Sequence, residues 1–476
     1  MLEQANRRPI ASALSGWADH GHGNLSQRLA RGLRRLIDAG ILTAGSPLPP
    51  ERRLAEELAV SRSTVSAALD VLRADGVVTS RQGRGTFVVG FDSAAGEDIG
   101  TNRMAVHLVE GAGGIDLAVG NPADVSHLPP VSIDIADLLA SGAGPGFQPL
   151  GLPLLRVAIA ELHTATGLHT DAEEVHVTAG AHQAISLAIT ALAGRREPVA
   201  AQTPGYPGFF DILEGIGHPV AALRADRAGI LPESLSKVLG DGTTSLVYIQ
   251  AGPQNPTGVV TSPARLRALA AVLDEHDATV IEDSTLAELV FAGRPPTDLA
   301  RLCRRATVVS VGSFSKVLWG GLRVGWMRGS VPVIDRTLHR RLALDLGAST
   351  PSQLLTLGLV PHLPEIAAAR RVFLASSVQR GVELLRAEVP EWDVPIPDGG
   401  SALWPDTRLA DTEGLVQIAH RHGVHLAPGS IAVEGRRPDP HLRICVDRPW
   451  PLVEAGLRRV GAAWRDLSRQ RSRIAG

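Results

Sequence analysis

Hydrophobic positions in the first ninety residues follow a helical spacing three times and then change to a strand spacing. Residues 25–37, 51–59 and a third stretch from Ser61 to Gly76 each place their apolar side chains on one helical face. Pro and Gly residues separate the first two stretches, and a glycine-rich tip at residues 81–85 separates two short β-rich runs, 77–79 and 86–89. This order predicts three helices followed by a β-hairpin, which is a winged helix-turn-helix.

From residue 115 onward, short apolar β-rich runs alternate with helical stretches. The predicted strands are 175–177, 199–201, 245–249, 279–281 and 308–311, and the clearest helices are 181–192 and 263–273. Near-continuous apolar strands between helices predict an α/β domain around a mostly parallel sheet, whose ligands lie at the carboxyl ends of the strands. Residues 91–114 have little periodicity, so the predicted organisation is residues 1–90, a flexible linker 91–114, and a large domain 115–476.

Charge and composition narrow the class of protein. The chain has 476 residues, and residues 1–90 hold 12 arginines against eight acidic residues, a net charge of +4, whereas the remainder is net −6. A basic N-terminal domain favours a polyanion as partner. No apolar run reaches 18 residues, and the two cysteines have no metal-ligand spacing. We therefore expect a cytoplasmic protein with no membrane span and no metal.

Lysine is rare in this chain. Among 47 basic residues only Lys237 and Lys316 are lysines. Lys316 ends the stretch Ser313-Phe314-Ser315-Lys316 and is followed closely by Arg323. A desolvated lysine amine can form an imine with an aldehyde, which arginine cannot, and serine hydroxyls with an arginine suit a phosphate. Together they suggest pyridoxal phosphate (PLP). The stretch taken alone is equally consistent with a surface lysine in a serine-rich turn.

Other polar residues fall at predicted strand ends. A turn opens a helix at Ala181 and His182, where backbone N–H groups favour a phosphate. Asn255 and Asp283 each follow an apolar strand, and Arg443 lies inside a strand-like run where binding a carboxylate would explain it. Tyr206 is one of only two tyrosines and could stack on a flat cofactor. Taken singly, these features are as well explained by a glycine turn or a packed aromatic ring.

The N-terminal motifs resemble the DNA-binding domain of the GntR family of bacterial repressors. They are Pro49-Pro50-Glu51-Arg52-Arg53-Leu54-Ala55, Ser61-Arg62-Ser63-Thr64-Val65, and Gln82-Gly83-Arg84-Gly85-Thr86-Phe87-Val88, in that order and at the family's spacing. The resemblance implies contacts to operator DNA by one arginine of the first motif, by the polar residues of the second motif and by the wing tip. These residues are Arg52, Ser61, Arg62, Ser63, Thr64, Gln82 and Gly83.

The large domain resembles the fold-type I aminotransferases over about 360 residues, on the ordered set Gly120-Asn121-Pro122, 178–183, Pro204-Gly205-Tyr206, Asn255-Pro256-Thr257-Gly258, Asp283, Ser313 to Lys316, Arg323 and Arg443. The resemblance implies that Lys316 forms the imine with PLP and is the catalytic residue. It assigns Asp283 to the ring nitrogen, Asn255 to the ring hydroxyl and Tyr206 to stacking. The implied phosphate ligands are Ala181, His182, Ser313, Ser315 and Arg323, and the implied substrate-binding residues are Arg443, Asn255 and Gly120.

Two departures from the family pattern remove hydroxyl groups. The tyrosine usually found two or three residues after the ring-nitrogen aspartate is absent from Ser284-Thr285-Leu286, and the tyrosine usually offered to the partner subunit's phosphate is Phe147. Neither change removes the lysine, the aspartate or the phosphate ligands. We therefore expect cofactor binding to be retained, whereas catalytic efficiency is open.

The combination of a GntR-like domain with an aminotransferase-like domain resembles the MocR subfamily of bacterial transcriptional regulators. The resemblance implies a PLP-dependent regulator in which an amino compound, or PLP itself, acts at Lys316 and repositions the DNA-binding domains of a head-to-tail homodimer. Two alternatives stay open at this stage. One is a working aminotransferase with a secondary DNA-binding domain, and the other is a regulator whose large domain has lost PLP and serves only for dimerisation.

Overall fold

The chain divides into two compact units, residues 1–106 and residues 107–476. The computed structural model describes residues 14, 17, 24–38, 42, 46–74, 77–81, 85–88, 103–104, 114–293 and 295–475. Most of the predicted linker, and the predicted wing-tip contacts Gln82 and Gly83, lie outside these residues. The two units are therefore described separately.

The N-terminal unit contains three helices and a β-hairpin, as predicted. They are α1 (Leu25–Asp38), α2 (Glu51–Leu58), α3 (Arg62–Ala74), β1 (Val78–Arg81) and β2 (Gly85–Val88). Strands β1 and β2 are antiparallel, with Thr79 opposite Phe87. The apolar faces of the helices form one core, in which Leu29, Leu54 and Val65 are fully buried. The winged helix-turn-helix prediction is confirmed.

Helix α3 begins a turn earlier than its hydrophobic pattern alone would place it. Its first residue is Arg62, and the hydroxyl of Ser61 accepts a hydrogen bond from the Thr64 N–H over 3.1 Å. A serine in this position satisfies one of the free N–H groups at a helix start. The polar residues that precede Val65 therefore form the first turn of the helix.

The large unit is built on a seven-stranded sheet in the order β4-β12-β11-β10-β9-β5-β6. All of its strands are parallel to one another except β12, which is antiparallel to both neighbours. The predicted strands are confirmed, and most extend by one or two residues. The bounds are β4 Val175–Thr178, β5 Val199–Gln202, β6 Val220–Leu223, β9 Leu246–Ile249, β10 Thr279–Asp283, β11 Thr307–Ser313 and β12 Gly325–Arg328.

Helices cover both faces of this sheet, because its strands are apolar on both sides and must be buried on both. Their bounds are α4 Ile135–Ala140, α5 Pro153–Ala165, α6 Ala181–Leu192, α7 Pro207–Ile216, α8 Pro232–Gly240, α9 Pro263–Glu275, α10 Leu299–Leu302, α11 Val331–Leu342, α12 Thr350–Leu359 and α13 Leu363–Glu388. Short 3-10 turns lie at Ala172–Glu174, Ala287–Leu289, Gly320–Leu322, Val360–His362, Gly429–Ala432 and Glu434–Arg436.

A second, smaller sheet has its own hydrophobic core. Its order is β13-β16-β15, with both pairings antiparallel. The bounds here are β13 Ala402–Leu403, β15 Ala427–Pro428 and β16 Leu442–Cys445, with helices α14 Glu413–Arg421 and α15 Trp450–Ala475. Two-stranded pairings join β3 (Ile115–Asp116) to β14 (Val424–His425) and β7 (Ala225–Asp226) to β8 (Gly229–Ile230). This second sheet was not predicted as a separate layer.

The antiparallel strand β12 determines which residues share one edge of the large sheet. Because β11 ends at Ser313 and β12 starts at Gly325 beside it, the whole excursion from 314 to 324 stays at the carboxyl edge. Lys316 and Arg323 both belong to this excursion. The edge is therefore where the predicted site must be assembled.

None of the helices in the described residues is both long and apolar enough to cross a membrane. Within the same part of the chain, no group of three or more His, Cys, Asp or Glu side chains is arranged to hold a metal ion.

Candidate functional site

The amine of Lys316 lies at the carboxyl edge of the large sheet and contacts a distant part of the chain. It donates hydrogen bonds to the Gly120 carbonyl over 2.8 Å and to Asn121 Oδ1 over 2.6 Å. Burial, and secondly the Arg443 guanidinium, lower the pKa of this amine to about 8. A substantial fraction of the amine is therefore neutral near physiological pH, which is the form that attacks an aldehyde.

Asp283 ends strand β10 and is buried, with 5% of its surface exposed. One carboxylate oxygen, Oδ2, accepts from the Tyr248 hydroxyl over 2.6 Å and from Gln250 Nε2 over 3.0 Å. The other, Oδ1, accepts from the Thr285 N–H over 2.9 Å. A buried acid needs such partners, and two of the three donors here are the N–H groups of Gln250 and Thr285.

Asn255, in the loop after β9 of the large sheet, is in direct contact with Arg443 of the small sheet. Arg443 Nε donates to Asn255 Oδ1 over 3.1 Å, and Arg443 Nη1 donates to the Ala118 carbonyl over 2.7 Å. Arg443 lies in strand β16 of the small sheet, as its strand-like run predicted. Among the described residues, the Nη2 group of this guanidinium makes no hydrogen bond, so it is available to an anion.

Gly120 is a place where a side chain would not fit. A Cβ atom there would lie 2.7 Å from Ser401 Oγ and 3.2 Å from Arg443 Nη2. The glycine therefore keeps open the space beside the arginine, while its carbonyl accepts from Lys316. This is consistent with the substrate-side role that the sequence resemblance implied.

The start of helix α6 faces Arg323. Gly180 precedes the helix with φ +100°, and a Cβ atom added there would lie 3.1 Å from Arg323 Nη2. Arg323 itself donates to the Ala179 carbonyl over 2.6 Å. The guanidinium thus lies beside the free N–H groups of Ala181 and His182, an arrangement that favours a bound anion.

Two serines complete this side of the site. Ser313 Oγ lies 2.9 Å from Ser315 Oγ and 3.3 Å from the Val324 carbonyl, and the Ser315 N–H donates to Ser313 Oγ over 3.2 Å. The two hydroxyls lie within hydrogen-bond distance of each other, and only that of Ser313 also reaches the carbonyl of the residue after Arg323. They are positioned together, and each can turn its donor to a ligand oxygen.

Tyr206 begins helix α7 and lies near the same groups. Its hydroxyl is 3.4 Å from His182 Nδ1. Burial, and secondly the negative charge of Asp283, raise the pKa of Tyr206, so its hydroxyl remains protonated. Packing around the His182 ring, with the nearby Arg323 guanidinium, lowers the pKa of that histidine. Tyr206 therefore lies between the predicted phosphate side and Asp283.

A cleft opens onto the predicted catalytic residue. Its lining includes the three groups predicted for imine formation, ring-hydroxyl contact and carboxylate binding: Lys316, Asn255 and Arg443. The remaining lining residues are Gln254, Pro256, Gly258, Leu286, Gly399, Gly400, Ser401 and Ala402. Of the residues that line this cleft in the described part of the chain, Lys316 and Arg443 are the basic ones.

The two departures from the family pattern have visible local consequences. Leu286 lies three residues after Asp283, where the family pattern has a tyrosine, and its apolar side chain lines the cleft. Phe147 is 60% exposed on the surface of the large unit. The hydroxyl of Thr285, two residues after Asp283, is buried without a hydrogen-bond partner in this structure.

Sequence reasoning missed four polar residues of the site: Asn121, Tyr248, Gln250 and Ser401. Tyr248 and Gln250 reach Asp283 from the neighbouring strand, since β9 pairs with β10. Asn121 reaches Lys316 across 195 positions of sequence. One available signal was that buried strands place alternate residues on one face, which puts Tyr248 and Gln250 together at a strand end.

The predicted DNA-contacting residues that the structure describes are exposed or half-buried in the N-terminal unit. The side chains of Arg52 and Arg62 are 85% and 74% exposed. Arg52 Nε lies 3.1 Å from Glu56 Oε1, and Arg62 Nε lies 3.6 Å from Glu51 Oε2. Exposed ion pairs of this kind are weak, so both arginines can exchange these partners for phosphates. Ser61 and Ser63 are likewise exposed, and Thr64 is half-buried.

The residues present fit PLP. A buried amine with a lowered pKa suits its aldehyde, and a buried carboxylate suits its ring nitrogen. The helix start, two serines and Arg323 suit its phosphate. A Cβ atom at Gly120 would approach the Arg443 guanidinium, and one at Gly180 would approach the Arg323 guanidinium. Glycine therefore leaves room beside both cations.

Comparison with known families matches both units. The family model "Aminotransferase class I and II" matches residues 112–459. The model "Bacterial regulatory proteins, gntR family" matches residues 25–88.

Curated relatives and solved structures agree with these matches. The HTH-type pyridoxine biosynthesis transcriptional regulator PdxR of Corynebacterium glutamicum is 29% identical, over 70% of this chain and 72% of its own length. The probable rhizopine catabolism regulatory protein MocR of Rhizobium meliloti is 28% identical, over 85% and 86%. LysN, an α-aminoadipate aminotransferase from Thermus thermophilus solved with N-(5'-phosphopyridoxyl)-L-leucine, has a TM-score of 0.67 at 25% identity, over 75% of this chain and 93% of its own.

Proposed function

The chain belongs to the aminotransferase class I and II family and carries a GntR-type DNA-binding domain, and from this premise we propose that it is a PLP-dependent transcriptional regulator that responds to an amino compound. One observation carries the proposal. A cleft lined by Lys316 and Arg443, with the buried Asp283 close enough to act on the charge of that lysine, occurs in the same chain as a helix whose first residue is an exposed arginine. The printed names of PdxR and MocR describe regulators, which supports the same conclusion.

Each residue of the site has a distinct task in this proposal. When bound, PLP supplies an aldehyde that condenses reversibly with primary amines and a ring that withdraws electrons. Lys316 provides the protein's own amine, and Asp283 holds a proton at the ring nitrogen. Asn255 donates to the ring hydroxyl, and Arg443 orients an effector by its carboxylate. Ala181, His182, Ser313, Ser315 and Arg323 bind the phosphate.

The hydrogen bonds of Lys316 suggest how occupancy is transmitted. Its amine holds the Gly120 carbonyl and the Asn121 side chain, and this segment follows closely after the residues that lead from the DNA-binding domain. If PLP were held through Lys316, this amine would not donate to Gly120 and Asn121 as it does when free, and an effector amine would compete with it for the same aldehyde. The effector therefore changes the hydrogen bonding at the start of the large unit.

We also propose that two chains form a homodimer through the large unit. Exposed apolar side chains lie on neighbouring elements of that unit, with Ile135 and Leu139 on α4, Phe147 and Leu154 near the start of α5, and Leu344 after α11 exposed by 57–81%. Helix α12 contacts both α4 and α5. An apolar surface of this kind is typical of a protein–protein interface. Leu139→Glu should convert dimer to monomer in light scattering, and an unchanged mass would contradict this interface.

The test of the function measures DNA and cofactor together. Purified protein with PLP should absorb in the visible region, and one amino compound among those screened should shift both this absorbance and the affinity for operator DNA. Lys316→Arg should bind DNA but lose both responses. An effector response that persists in Lys316→Arg would overturn the proposal.

An active aminotransferase remains the second candidate, and the intact lysine and aspartate favour it. Incubation with amino acids and a 2-oxo acid separates the two. Many turnovers per site would show an enzyme, whereas a single half-reaction or none would fit a regulator. A DNA-binding role also implies a cytoplasmic location.

A further inference from the structure

The side chain of Gln250 connects Asp283, which is proposed to hold the ring nitrogen of PLP, to Asn255, which is proposed to hold the ring hydroxyl. Its Nε2 donates to Asp283 Oδ2 over 3.0 Å, and its Oε1 accepts from the Asn255 N–H over 3.2 Å. Gln250 is 8% exposed and follows directly after strand β9. It does not line the cleft, so it can act on a ligand only through its two neighbours.

Asp283 has few acceptor positions left. A carboxylate offers about four lone-pair positions, two on each oxygen. Tyr248 and Gln250 both donate to Oδ2, and the Thr285 N–H takes one position on Oδ1. One position, on Oδ1, remains for the ring nitrogen's proton. The donors on Oδ2 thus determine which oxygen faces the cofactor.

The two donors on Oδ2 are held in different ways. The ring of Tyr248 stacks on Phe209 with a centroid distance of 4.1 Å and an interplanar angle of 12°. Packing therefore fixes the tyrosine independently of Asn255. Gln250, in contrast, makes its other hydrogen bond to the Asn255 backbone. Among the hydrogen bonds of the described residues, it is those of Gln250 that join the aspartate to the loop that carries Asn255.

We propose that Gln250 is a positioning residue that holds Asp283 and Asn255 in fixed relation, so that the ring nitrogen and the ring hydroxyl of PLP are bound at the same time. This inference rests on the proposed function in that it requires PLP at this site. Its content is separate, because another residue in place of Gln250 would leave Lys316, Asp283 and Asn255 intact. It predicts that the contributions of Gln250 and Asn255 to PLP binding depend on each other.

The experiment is a double-mutant cycle on the full-length chain. PLP affinity is measured by titrating the apo-protein, and the absorbance of the loaded protein is recorded against pH. The variants are Gln250→Leu, Asn255→Ala and both together, with Tyr248→Phe alone and combined with Asn255→Ala as the matched control. Tyr248→Phe removes a donor from the same oxygen but keeps the aromatic stack. Thermal unfolding of each apo-protein reports on folding.

The expected results differ between the two cycles. Gln250→Leu should weaken PLP binding about tenfold, because a buried carboxylate loses a donor and the loop loses its attachment. It should also shift the pH midpoint of the absorbance. Combined with Asn255→Ala, the loss should be clearly smaller than the product of the single losses. In the control cycle, the loss of PLP affinity in the combined variant should equal the product of the losses caused by Tyr248→Phe and by Asn255→Ala, to within about twofold.

A second variant keeps the test decisive if Gln250→Leu does not fold. Gln250→Glu preserves size but places a second acid against Asp283 Oδ2, and two such acids cannot both ionise at this distance. Relative to the unchanged protein, its PLP affinity should fall as pH rises from 6 to 9. Independent, multiplicative effects of Gln250 and Asn255, or an unchanged midpoint, would overturn the inference while PLP binding stands. Absence of PLP binding in the unchanged protein would instead overturn the proposed function.

Discussion

Lys316 and Asn121 are joined by a hydrogen bond of 2.6 Å that connects the candidate catalytic residue to the first segment of the large unit. The two residues are 195 positions apart in sequence, and the bond forms because the excursion after β11 and the segment after β3 meet at the carboxyl edge of the sheet. This contact makes the lysine both a reactive group and a structural attachment.

The reactivity of Lys316 should depend on pH in a defined way. Because its pKa is lowered to about 8, the neutral amine is the minor form at pH 7 and the major form at pH 9. The rate of covalent PLP capture by apo-protein should therefore rise with pH and level off above about 8. Stopped-flow absorbance measures the rate, and borohydride reduction followed by mass spectrometry identifies the residue.

The chain offers a matched control for this chemistry. Lys237 is the only other lysine and lies exposed on α8. Lys237→Arg should leave capture unchanged, and Lys316→Arg should abolish it. Equal labelling of both lysines would mean that the site does not activate Lys316.

Asn121 should matter for signalling more than for cofactor binding. Asn121→Ala removes an acceptor of the Lys316 amine but none of the groups assigned to PLP. We expect PLP to bind within about threefold of normal, because one neutral acceptor contributes on the order of 1 kcal/mol or less. The change in DNA affinity caused by an effector should shrink. A full effector response in fluorescence anisotropy with operator DNA would contradict this role.

Arg443 should separate effector binding from PLP binding. Its guanidinium lines the cleft and lies outside the predicted phosphate set. Arg443→Leu should weaken a carboxylate-bearing effector roughly 10- to 100-fold, the loss expected for a charge-assisted pair. PLP absorbance should persist. Effector titrations followed in the visible region measure this, and an effector without a carboxylate is the control that should bind equally well to both proteins.

The buried carboxyl group of Glu282 should make the free energy of unfolding depend on pH, independently of any ligand. It is adjacent to Asp283 but is buried on its own, with its carboxyl group accepting from the Leu299 N–H over 2.9 and 3.1 Å. Burial, and secondly the negative charge of Asp298, raise the pKa of Glu282 to about 8. In the unfolded chain the ordinary pKa is near 4.5.

The direction of this pH dependence follows from the two pKa values of Glu282, about 8 in the folded state and 4.5 in the unfolded chain. Between about pH 4.5 and 8 the folded state keeps the proton that the unfolded state releases, so the contribution of this group to stability is complete below pH 4.5 and is lost as pH rises toward 8. The loss is on the order of a few kcal/mol. Glu282→Gln should flatten this part of the stability curve in urea unfolding. An equally steep curve in the variant would show that another group is responsible.

The DNA side can be tested with two arginines of one helix. Arg62 opens α3 and is largely exposed, whereas Arg73, in the last turn of the same helix, pairs with Asp70 and lies 4.0 Å from Glu51. Arg62→Ala should weaken operator binding about tenfold and reduce the salt dependence by about one charge. Arg73→Ala should change it less than about twofold. Equal effects would mean that the start of α3 does not face DNA.

The sequence was sufficient for elements whose signals are local. Helix α6 occupies the predicted residues 181–192, and Asp283 ends its strand as expected, because helical spacing and apolar strand runs are written in neighbouring residues. The roles given to Lys316 and Arg323 came from the chemistry of the stretch that holds them and from a family resemblance, and they stay predictions.

What the sequence did not show depends on strand order and on contacts between sheets. Gln250 reads as the polar end of a strand until β9 is known to lie beside β10. Asn121 reads as part of a loop until the chain brings it to Lys316. The small sheet escaped notice because β13 and β15 have two residues each, too few for a periodic pattern.

The two ends of the proposed effector site belong to different layers. Lys316 follows a strand of the seven-stranded sheet, and Arg443 lies in the three-stranded sheet. An amino acid that contacts both Lys316 and Arg443 would connect the two sheets, and its length would determine the distance between them. A ligand with an amine but no acid group would hold one layer only, so the protein would distinguish molecules by span as well as by chemistry.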